Sequence, residues 1–152
     1  MATRPLTLTH DPLFPLTRER IVEALALPAP SPEPDDLHVA ALQEGARVTE
    51  AAVLVPLVGR PGRVEVLFTQ RTAHLDDHAG QISFPGGRVE EGDASREATA
   101  LRETEEEIGL KPGSVTLLGR LPQYEIPSGF RITPVVGWIE PTTGVKIGRA
   151  HV

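Results

Sequence analysis

Residues 81–110 most constrain the fold, because they contain a strand, a glycine turn and a helix with marked ends. Pro-Gly-Gly at 85–87 must interrupt the strand expected at 81–84, because these residues favour turns and close backbone approaches. Asp93 suits the N-cap of a following helix. We expect that helix over about residues 94–108, ending at Gly109. The segment predicts an α/β unit with a glycine turn before its helix.

The predicted helix has an apolar side and an acidic side. At about 100° per residue these sides lie nearly opposite each other. The apolar stripe contains Ala94, Ala98, Leu101 and Ile108, with Glu105 inside it, and the acidic side contains Glu103, Glu106 and Glu107. Glutamates one turn apart repel each other by about 0.2–0.5 kcal/mol per pair, and a divalent cation that also binds phosphate relieves that repulsion. The alternative is a solvated acidic surface.

The spacing of these residues resembles the Nudix box of nucleoside-diphosphate-linked hydrolases. The matching positions are Gly87, Asp93, Arg102, Glu103, Glu106, Glu107, Gly109 and Leu110. Two positions depart from the common form, since Asp93 replaces a glutamate and eight residues rather than seven separate it from Arg102. Thr104 also replaces a more usual aliphatic residue. The resemblance implies an α/β/α sandwich with a mixed sheet and a metal-dependent pyrophosphohydrolase.

A second motif resembles the coenzyme A pyrophosphatase branch of that family. It covers residues 67–87, with matches at Arg71, His78, Gly80 and the Phe-Pro-Gly-Gly run 84–87, and residues 128–135 are also similar. The longer spacer in the box is typical of the same branch. Asp76 departs from the basic residue often found there. The resemblance implies hydrolysis of coenzyme A, or its thioesters, to 3′,5′-ADP and 4′-phosphopantetheine.

The resemblance also assigns roles to individual residues. Glu103, Glu106 and Glu107 become ligands of Mg²⁺ or Mn²⁺, and Arg102 orients one of these glutamates. Arg102 can instead form a simple i,i+4 ion pair with Glu106. The substrate-binding candidates are Arg71, His78, Gly86 and Gly87, although His78 can equally order its own turn. The general base stays open between a box glutamate and an acidic residue in a later loop.

Two other functions remain possible from the sequence. One is a Nudix hydrolase of ADP-ribose, a dinucleotide or a damaged nucleoside triphosphate. The other is a nucleotide-binding module without turnover, which has no need for three mutually repelling carboxylates. A panel of these substrates separates the three possibilities.

Composition narrows the class of protein further. The 152 residues correspond to about one domain, with 39% apolar and 24% charged residues. A net charge of −6 argues against a nucleic-acid partner, and the chain has no run long enough to span a membrane. Cysteine is absent, which excludes disulfides and sulfur ligands and fits a cytoplasmic location. We expect a small nucleotide substrate.

The chain divides into three predicted parts. Residues 1–36 contain an arm, a short helix near 17–27 and a proline-rich connector, and residues 37–145 contain the Nudix domain. Strands are expected at 51–58, 64–70, 115–121 and 132–139, with a turn at 60–63 between the first two.

Residues 146–152 resemble a translated sequencing adapter rather than native protein. Nudix domains normally continue with a further strand and a closing helix. We therefore expect the domain to be truncated at the C-terminus, and to be less stable than a version restored to full length.

Overall fold

The computed structural model describes residues 2–8, 15–28, 47–70 and 81–141, and it shows one mixed sheet with two helices. The strands are β1 (Ala2–Leu8), β2 (Thr49–Arg60), β3 (Arg63–Gln70), β4 (Ile82–Ser83), β5 (Gly86–Arg88), β6 (Val115–Arg120), β7 (Tyr124–Ile126) and β8 (Phe130–Ile139). The helices are α1 (Arg18–Ala26) and α2 (Arg96–Ile108), with a 3-10 turn at Pro112–Ser114. The described helices are not long and apolar enough to cross a bilayer. Residues 29–36 of the predicted connector and residues 146–152 lie outside the described ranges.

The sheet has the strand order β1-β3-β2-β8-β6, with β4 beside β3, β5 beside β2 and β7 beside β8. β2 and β8 run parallel from the pair Thr49–Phe130 to the pair Val58–Ile139, and the other described pairs are antiparallel. The fold class predicted from the sequence is confirmed as a mixed α/β sheet. Strand β1 pairs with β3, a pairing that the sequence did not predict.

β2 has two different antiparallel neighbours along its length, and this divides one edge of the sheet. Its second half, from Leu57 to Arg60, pairs with β3. Its first half, from Ala51 to Val53, pairs with β5. The predicted 60–63 turn joins β2 to β3, with Gly62 at φ +72°. The short strand β5 is therefore held beside β2 where β3 no longer pairs with it.

Two apolar clusters fill the two sides of the sheet. The cluster on the α2 side contains Ala52, Leu54, Val58, Leu67, Ala100, Leu110, Val135 and Ile139. The cluster on the α1 side contains Leu57, Val64, Val66, Val136 and Trp138, packed against Ile21 and Leu25 of α1. Because alternate residues of each strand face opposite sides, one strand supplies both clusters.

Helix α2 begins two residues later than the sequence predicts. Ser95 is its N-cap and accepts a hydrogen bond from the Ala98 N–H at 3.1 Å, so the prediction of Asp93 as the cap is wrong. Asp93 instead accepts hydrogen bonds from the backbone N–H of Glu90 and the hydroxyl of Thr99. Gly109 ends the helix in the left-handed conformation at φ +71°, as predicted.

The side of α2 that faces the sheet agrees only in part with the predicted apolar stripe, because Leu101 and Ile108 pack against the core cluster as predicted. The buried residues are Thr99, Ala100 and Thr104, whereas Ala94 and Glu105 are exposed. On a helical wheel, Ala100 and Thr104 lie beside Glu103 and Glu107 rather than opposite them. The core side and the acidic side are therefore adjacent, because small residues let the helix approach the sheet closely enough to bring two glutamates down onto β5.

Candidate active site

The candidate site lies where α2 meets β5, and its first element is a contact between Gly87 and Glu103. A Cβ placed on Gly87 would overlap the carboxylate of Glu103, so only glycine leaves room for this side chain. Gly87 pairs with Ala52 of β2, a fully buried residue on the α2 side of the sheet. The glycine is therefore required by a close approach and not by a positive φ.

Gly86 contributes a second contact to the same site. Its backbone N–H donates a hydrogen bond to the carboxylate of Glu107. On its other side Gly86 packs against the backbone of Ala52 and Val53, where a Cβ would overlap main-chain atoms. Two consecutive glycines of β5 therefore hold two glutamates one helical turn apart.

Glu107 carries the electrostatic signature of this arrangement. Burial raises its pKa above the usual value for a glutamate, the hydrogen bond from Gly86 opposes that rise, and the negative charges of Glu103 and Glu106 add to it. The ionised form of Glu107 is consequently disfavoured unless a positive charge is near. Glu106 differs, with a side chain that is 60% exposed.

Arg102 connects the helix to the loop that follows β5. Its Nε and Nη2 donate to the two carboxylate oxygens of Asp93 at 2.9 and 3.0 Å, and Nη2 also donates to the carbonyl of Arg88 at 3.1 Å. Nη1 donates to Glu103 at 3.0 Å and lies 3.5 Å from Glu106. The i,i+4 contact with Glu106 is therefore the longest of its hydrogen bonds, and the guanidinium holds Glu103 and Asp93 together.

Asp93 completes this connection in a way that the sequence did not indicate. Its side chain is only 6% exposed, and hydrogen bonds from Arg102, the Glu90 N–H and Thr99 lower its pKa well below the usual range. The same pair raises the pKa of Arg102. Thr99 gives no local signal of this role, because its hydroxyl also donates to the Ser95 carbonyl in its own helix at 3.3 Å.

A second group of charges lies beside the start of α2. The Glu50 carboxylate contacts Arg96 and Arg131, each at 3.1 Å, and Arg131 also pairs with Glu125. Glu97 binds Arg120 of β6 through two hydrogen bonds of 2.6 and 2.7 Å, which lower the pKa of Glu97 to about 2. Arg96 and Glu97 therefore attach the first turn of α2 to two strands of the sheet, β2 and β6.

The three carboxylates are the kind of ligand that a divalent cation accepts, but their side chains do not converge on one position in this structure. Glu103, Glu106 and Glu107 offer oxygen ligands, and the pKa of Glu107 is raised by burial and, to a smaller extent, by the other two carboxylates. As the side chains stand, the described ranges contain no group of three His, Cys, Asp or Glu that could hold a metal ion. Glu103 is engaged by Arg102 in this arrangement.

The predicted site residues are thus partly brought together. Arg102, Glu103, Glu106 and Glu107 lie on one helix beside Gly86 and Gly87. Arg71 and His78 lie outside the described residues. Their contact with substrate, and that of the two glycines, stays a prediction.

Comparison with known proteins identifies the class to which this fold and site belong. The model of the NUDIX domain matches residues 48–145, which include strands β2 to β8 and helix α2. The chain therefore belongs to the Nudix family. It is similar to Nudix hydrolase NudL of Escherichia coli K12, described as uncharacterized, with 51% identity over 92 residues that make up 60% of this chain and 47% of the relative. The chain thus spans about half the length of the curated relatives it matches.

Solved structures support the same fold. The Ap4A hydrolase of C. elegans aligns with a TM-score of 0.53 at 24% identity, over 66% of this chain and 75% of that chain. The Nudix hydrolase RenU of M. smegmatis aligns with a TM-score of 0.53 at 22% identity, over 64% and 67% of the two chains. At these identities the similarity establishes the fold alone.

Proposed function

We propose that this protein hydrolyses the diphosphate bond of coenzyme A, or of its thioesters, to 3′,5′-ADP and 4′-phosphopantetheine with the help of Mg²⁺ or Mn²⁺. The observation that carries hydrolysis is the placement of Glu103 and Glu107 on consecutive glycines of β5, with Arg102 binding the first of them. The choice of coenzyme A rests on the similarity of residues 67–87 and 128–135 to that branch of the family.

Glu103, Glu106 and Glu107 would hold the cation, since they supply the carboxylate oxygens that Mg²⁺ and Mn²⁺ accept. A bound divalent ion neutralises the diphosphate oxygens and lowers the pKa of a water ligand. Glu107 is the ligand most in need of that positive charge, because its burial and its two acidic neighbours already raise its pKa. Arg102 already supplies positive charge to Glu103 and Glu106, whereas Glu107 forms no ion pair within the described residues.

Arg102 and Asp93 act as positioning residues. Their two parallel hydrogen bonds fix the guanidinium plane, and this leaves Nη1 directed at Glu103. The Arg88 carbonyl, which also accepts from Arg102, ties the end of β5 to the same group. The helix and the strand that carry the site are therefore held together by one side chain.

A substrate panel with Mg²⁺ or Mn²⁺ tests the proposal directly. Coenzyme A, acetyl-coenzyme A, ADP-ribose, NADH and nucleoside triphosphates are supplied separately, and products are identified by mass spectrometry. We expect 3′,5′-ADP from coenzyme A. If ADP-ribose is hydrolysed and coenzyme A is not, the proposed substrate is wrong and a different Nudix substrate is indicated. Tight binding without turnover of any compound would indicate a binding module.

Substitution of Glu107 separates its metal role from its structural role. Glu107→Gln should keep the hydrogen bond from Gly86 and lower kcat more than about 100-fold. It should also raise the free energy of unfolding at neutral pH by about 0.5 kcal/mol, because it removes a charge that burial and two neighbouring carboxylates disfavour. The sign follows from the raised pKa, because the ionised group destabilises the fold above that pKa and the penalty is relieved as the pH falls through it. Thermal unfolding and Mn²⁺ calorimetry provide the measurements.

The exposed Glu105 on the same helix is the matched control. Glu105→Gln removes one negative charge as well, and we expect it to leave Mn²⁺ affinity and kcat within about threefold of wild type. Equal effects of the two substitutions would mean that general helix charge, and not the contact with β5, explains the result.

A further inference from the structure

The sheet has a second surface near the site, on the face opposite α2. Arg88 pairs with Ala51, Ala51 with Ile132, and Ile132 with Tyr124, so these four residues form one row across β5, β2, β8 and β7. Cross-strand partners share a face, and three strand spacings make the row about 14 Å long. Phe130 lies two residues before Ile132 on the same face. We call these five residues the Arg88 surface.

Helix α1 lies on this face of the sheet but packs elsewhere on it. The cluster under α1 is built from Leu57, Val64, Val66, Val136 and Trp138, and it includes no member of the Arg88 surface. Tyr124 is 47% exposed, and Arg88 is also exposed. Phe130 and Ile132 are partly buried and Ala51 is buried, so the surface has an exposed arginine at one end, an exposed tyrosine at the other and apolar groups between them.

Arg88 is held by an aromatic ring rather than by a carboxylate. Its guanidinium carbon lies 5.3 Å from the centre of the Phe130 ring. Among the described residues it forms no ion pair with a carboxylate, whereas Arg96, Arg102, Arg120 and Arg131 each do. A guanidinium that stacks on a ring keeps its N–H donors free in its own plane, where they suit the oxygens of a phosphate.

The Arg88 surface is only one residue away from the carboxylates. Gly87 faces Glu103 on the α2 side, and Arg88 directs its side chain to the opposite side because alternate strand residues do so. Their Cα atoms are about 3.8 Å apart. In the described chain β5 pairs with β2 alone, so a ligand passing the other edge of β5 can reach both faces. A nucleotide with its diphosphate at Glu103 and a second phosphate at Arg88 would therefore pass this edge of β5.

We propose that the Arg88 surface binds the adenosine 3′-phosphate part of the substrate, with Arg88 on the 3′-phosphate and Tyr124 and Ile132 against the base. This inference rests on the proposed function, because it assigns the half of coenzyme A that lies beyond the scissile diphosphate. Arg88 then selects substrates that carry a 3′-phosphate over those that lack it.

Binding of product fragments tests the inference without any need for turnover. Calorimetry without metal compares 3′,5′-ADP with 5′-AMP, which differ only in the 3′-phosphate. We expect wild type to bind 3′,5′-ADP about tenfold or more tightly than 5′-AMP, the size of a charge-assisted contact. Arg88→Ala should remove this preference while leaving the affinity for 5′-AMP unchanged, and Arg88→Lys, which keeps the charge without the fork, should restore only part of it.

Two further variants complete the design. Tyr124→Ala should weaken both compounds by the same factor, because the base is common to them. Arg18→Ala removes an exposed arginine of α1 that lies away from this surface, and it should bind both compounds as wild type does. The thermal unfolding midpoint of each variant shows whether the fold is retained.

The outcomes distinguish this inference from the proposed hydrolysis. If wild type hydrolyses coenzyme A but Arg88→Ala still prefers 3′,5′-ADP, the inference is wrong and the hydrolysis stands. If coenzyme A is not hydrolysed but the preference depends on Arg88, the hydrolysis is wrong and the surface stands as an adenosine 3′-phosphate site. The inference is also overturned if Arg88→Ala loses the same factor of affinity for both compounds, or if wild type binds the two compounds equally well.

Discussion

Gly86 and Gly87 are adjacent in sequence, but their missing side chains serve different contacts. A Cβ on Gly86 would overlap the backbone of β2, which is fixed by pairing on both sides. A Cβ on Gly87 would overlap only the carboxylate end of Glu103, a flexible side chain. One glycine therefore supports the sheet, and the other makes space for a functional group.

This difference predicts opposite outcomes for two alanine substitutions. Gly86→Ala should lower the free energy of unfolding by about 1–3 kcal/mol, because main-chain atoms must move. Gly87→Ala should cost less than about 1 kcal/mol but reduce kcat by about 100-fold, since it displaces Glu103. Urea unfolding and steady-state kinetics on both variants provide the test, and loss of stability without loss of kcat in Gly87→Ala would contradict it.

At the scale of elements, helix α2 is attached to the rest of the protein by two bidentate arginine pairs. Arg102 binds Asp93 in the loop after β5, and Arg120 of β6 binds Glu97 near the start of the helix. The two pairs use the same geometry, but only the first arginine also contacts a site glutamate. They therefore form a natural comparison between positioning and simple attachment.

Arg102→Lys should lower Mn²⁺ affinity and kcat by about 10- to 100-fold, because a lysine cannot bind Asp93 through a fork and reach Glu103 together. Arg120→Lys breaks a similar fork on the same helix and should change kcat by less than about threefold. Kinetics and Mn²⁺ calorimetry of the two variants are compared. Similar losses in both would show that attachment of α2 in general, and not the orientation of Glu103, controls the site.

For the whole molecule, several carboxylates have pKa values shifted in the direction that makes the fold sensitive to acid. The pKa of Asp93 is lowered by hydrogen bonds from Arg102, and the pKa of Glu97 by hydrogen bonds from Arg120. Burial acts to raise the pKa of Glu65, but hydrogen bonds from Arg60 and Arg63 outweigh it, so the pKa is lowered overall. Among the described carboxylates with a shifted pKa, Glu107 is the one whose pKa is raised, so its protonation favours folding.

We therefore expect the free energy of unfolding to fall as the pH drops below about 4. A lowered pKa gives stability that is complete above the unfolded value, near 4, and is lost as the pH falls through the folded value. Urea unfolding between pH 6 and pH 2.5 measures this slope. Glu97→Gln should reduce the total loss of unfolding free energy over this pH range by no more than about 1 kcal/mol, because the pair of Glu97 with Arg120 is partly solvated. A slope of the opposite sign in wild type would contradict the expectation.

Much of the fold could be predicted from local patterns. Strands β2, β3, β6 and β8, the turn at Gly62, helix α1 and the end of α2 at Gly109 all agree with the sequence to within about three residues. These features depend on alternation, capping and glycine conformation, which act over a few neighbouring residues. The predicted N-cap was wrong because Asp93 and Ser95 are both favourable capping residues. Asp93 binds Arg102 instead, and Ser95 caps the helix.

The amino-acid sequence by itself determined that Glu103, Glu106 and Glu107 lie within one turn of a helix that follows a pair of glycines, because helical period and chain order fix that spacing. Only the tertiary structure decided that two of these glutamates turn inward to β5, that Asp93 binds Arg102, and that Arg88 faces the other side of the sheet. These contacts depend on which side of α2 packs against the sheet. That choice follows from the small volumes of Ala100 and Thr104 against β2 and from strand pairing far along the chain, which a local periodicity does not contain.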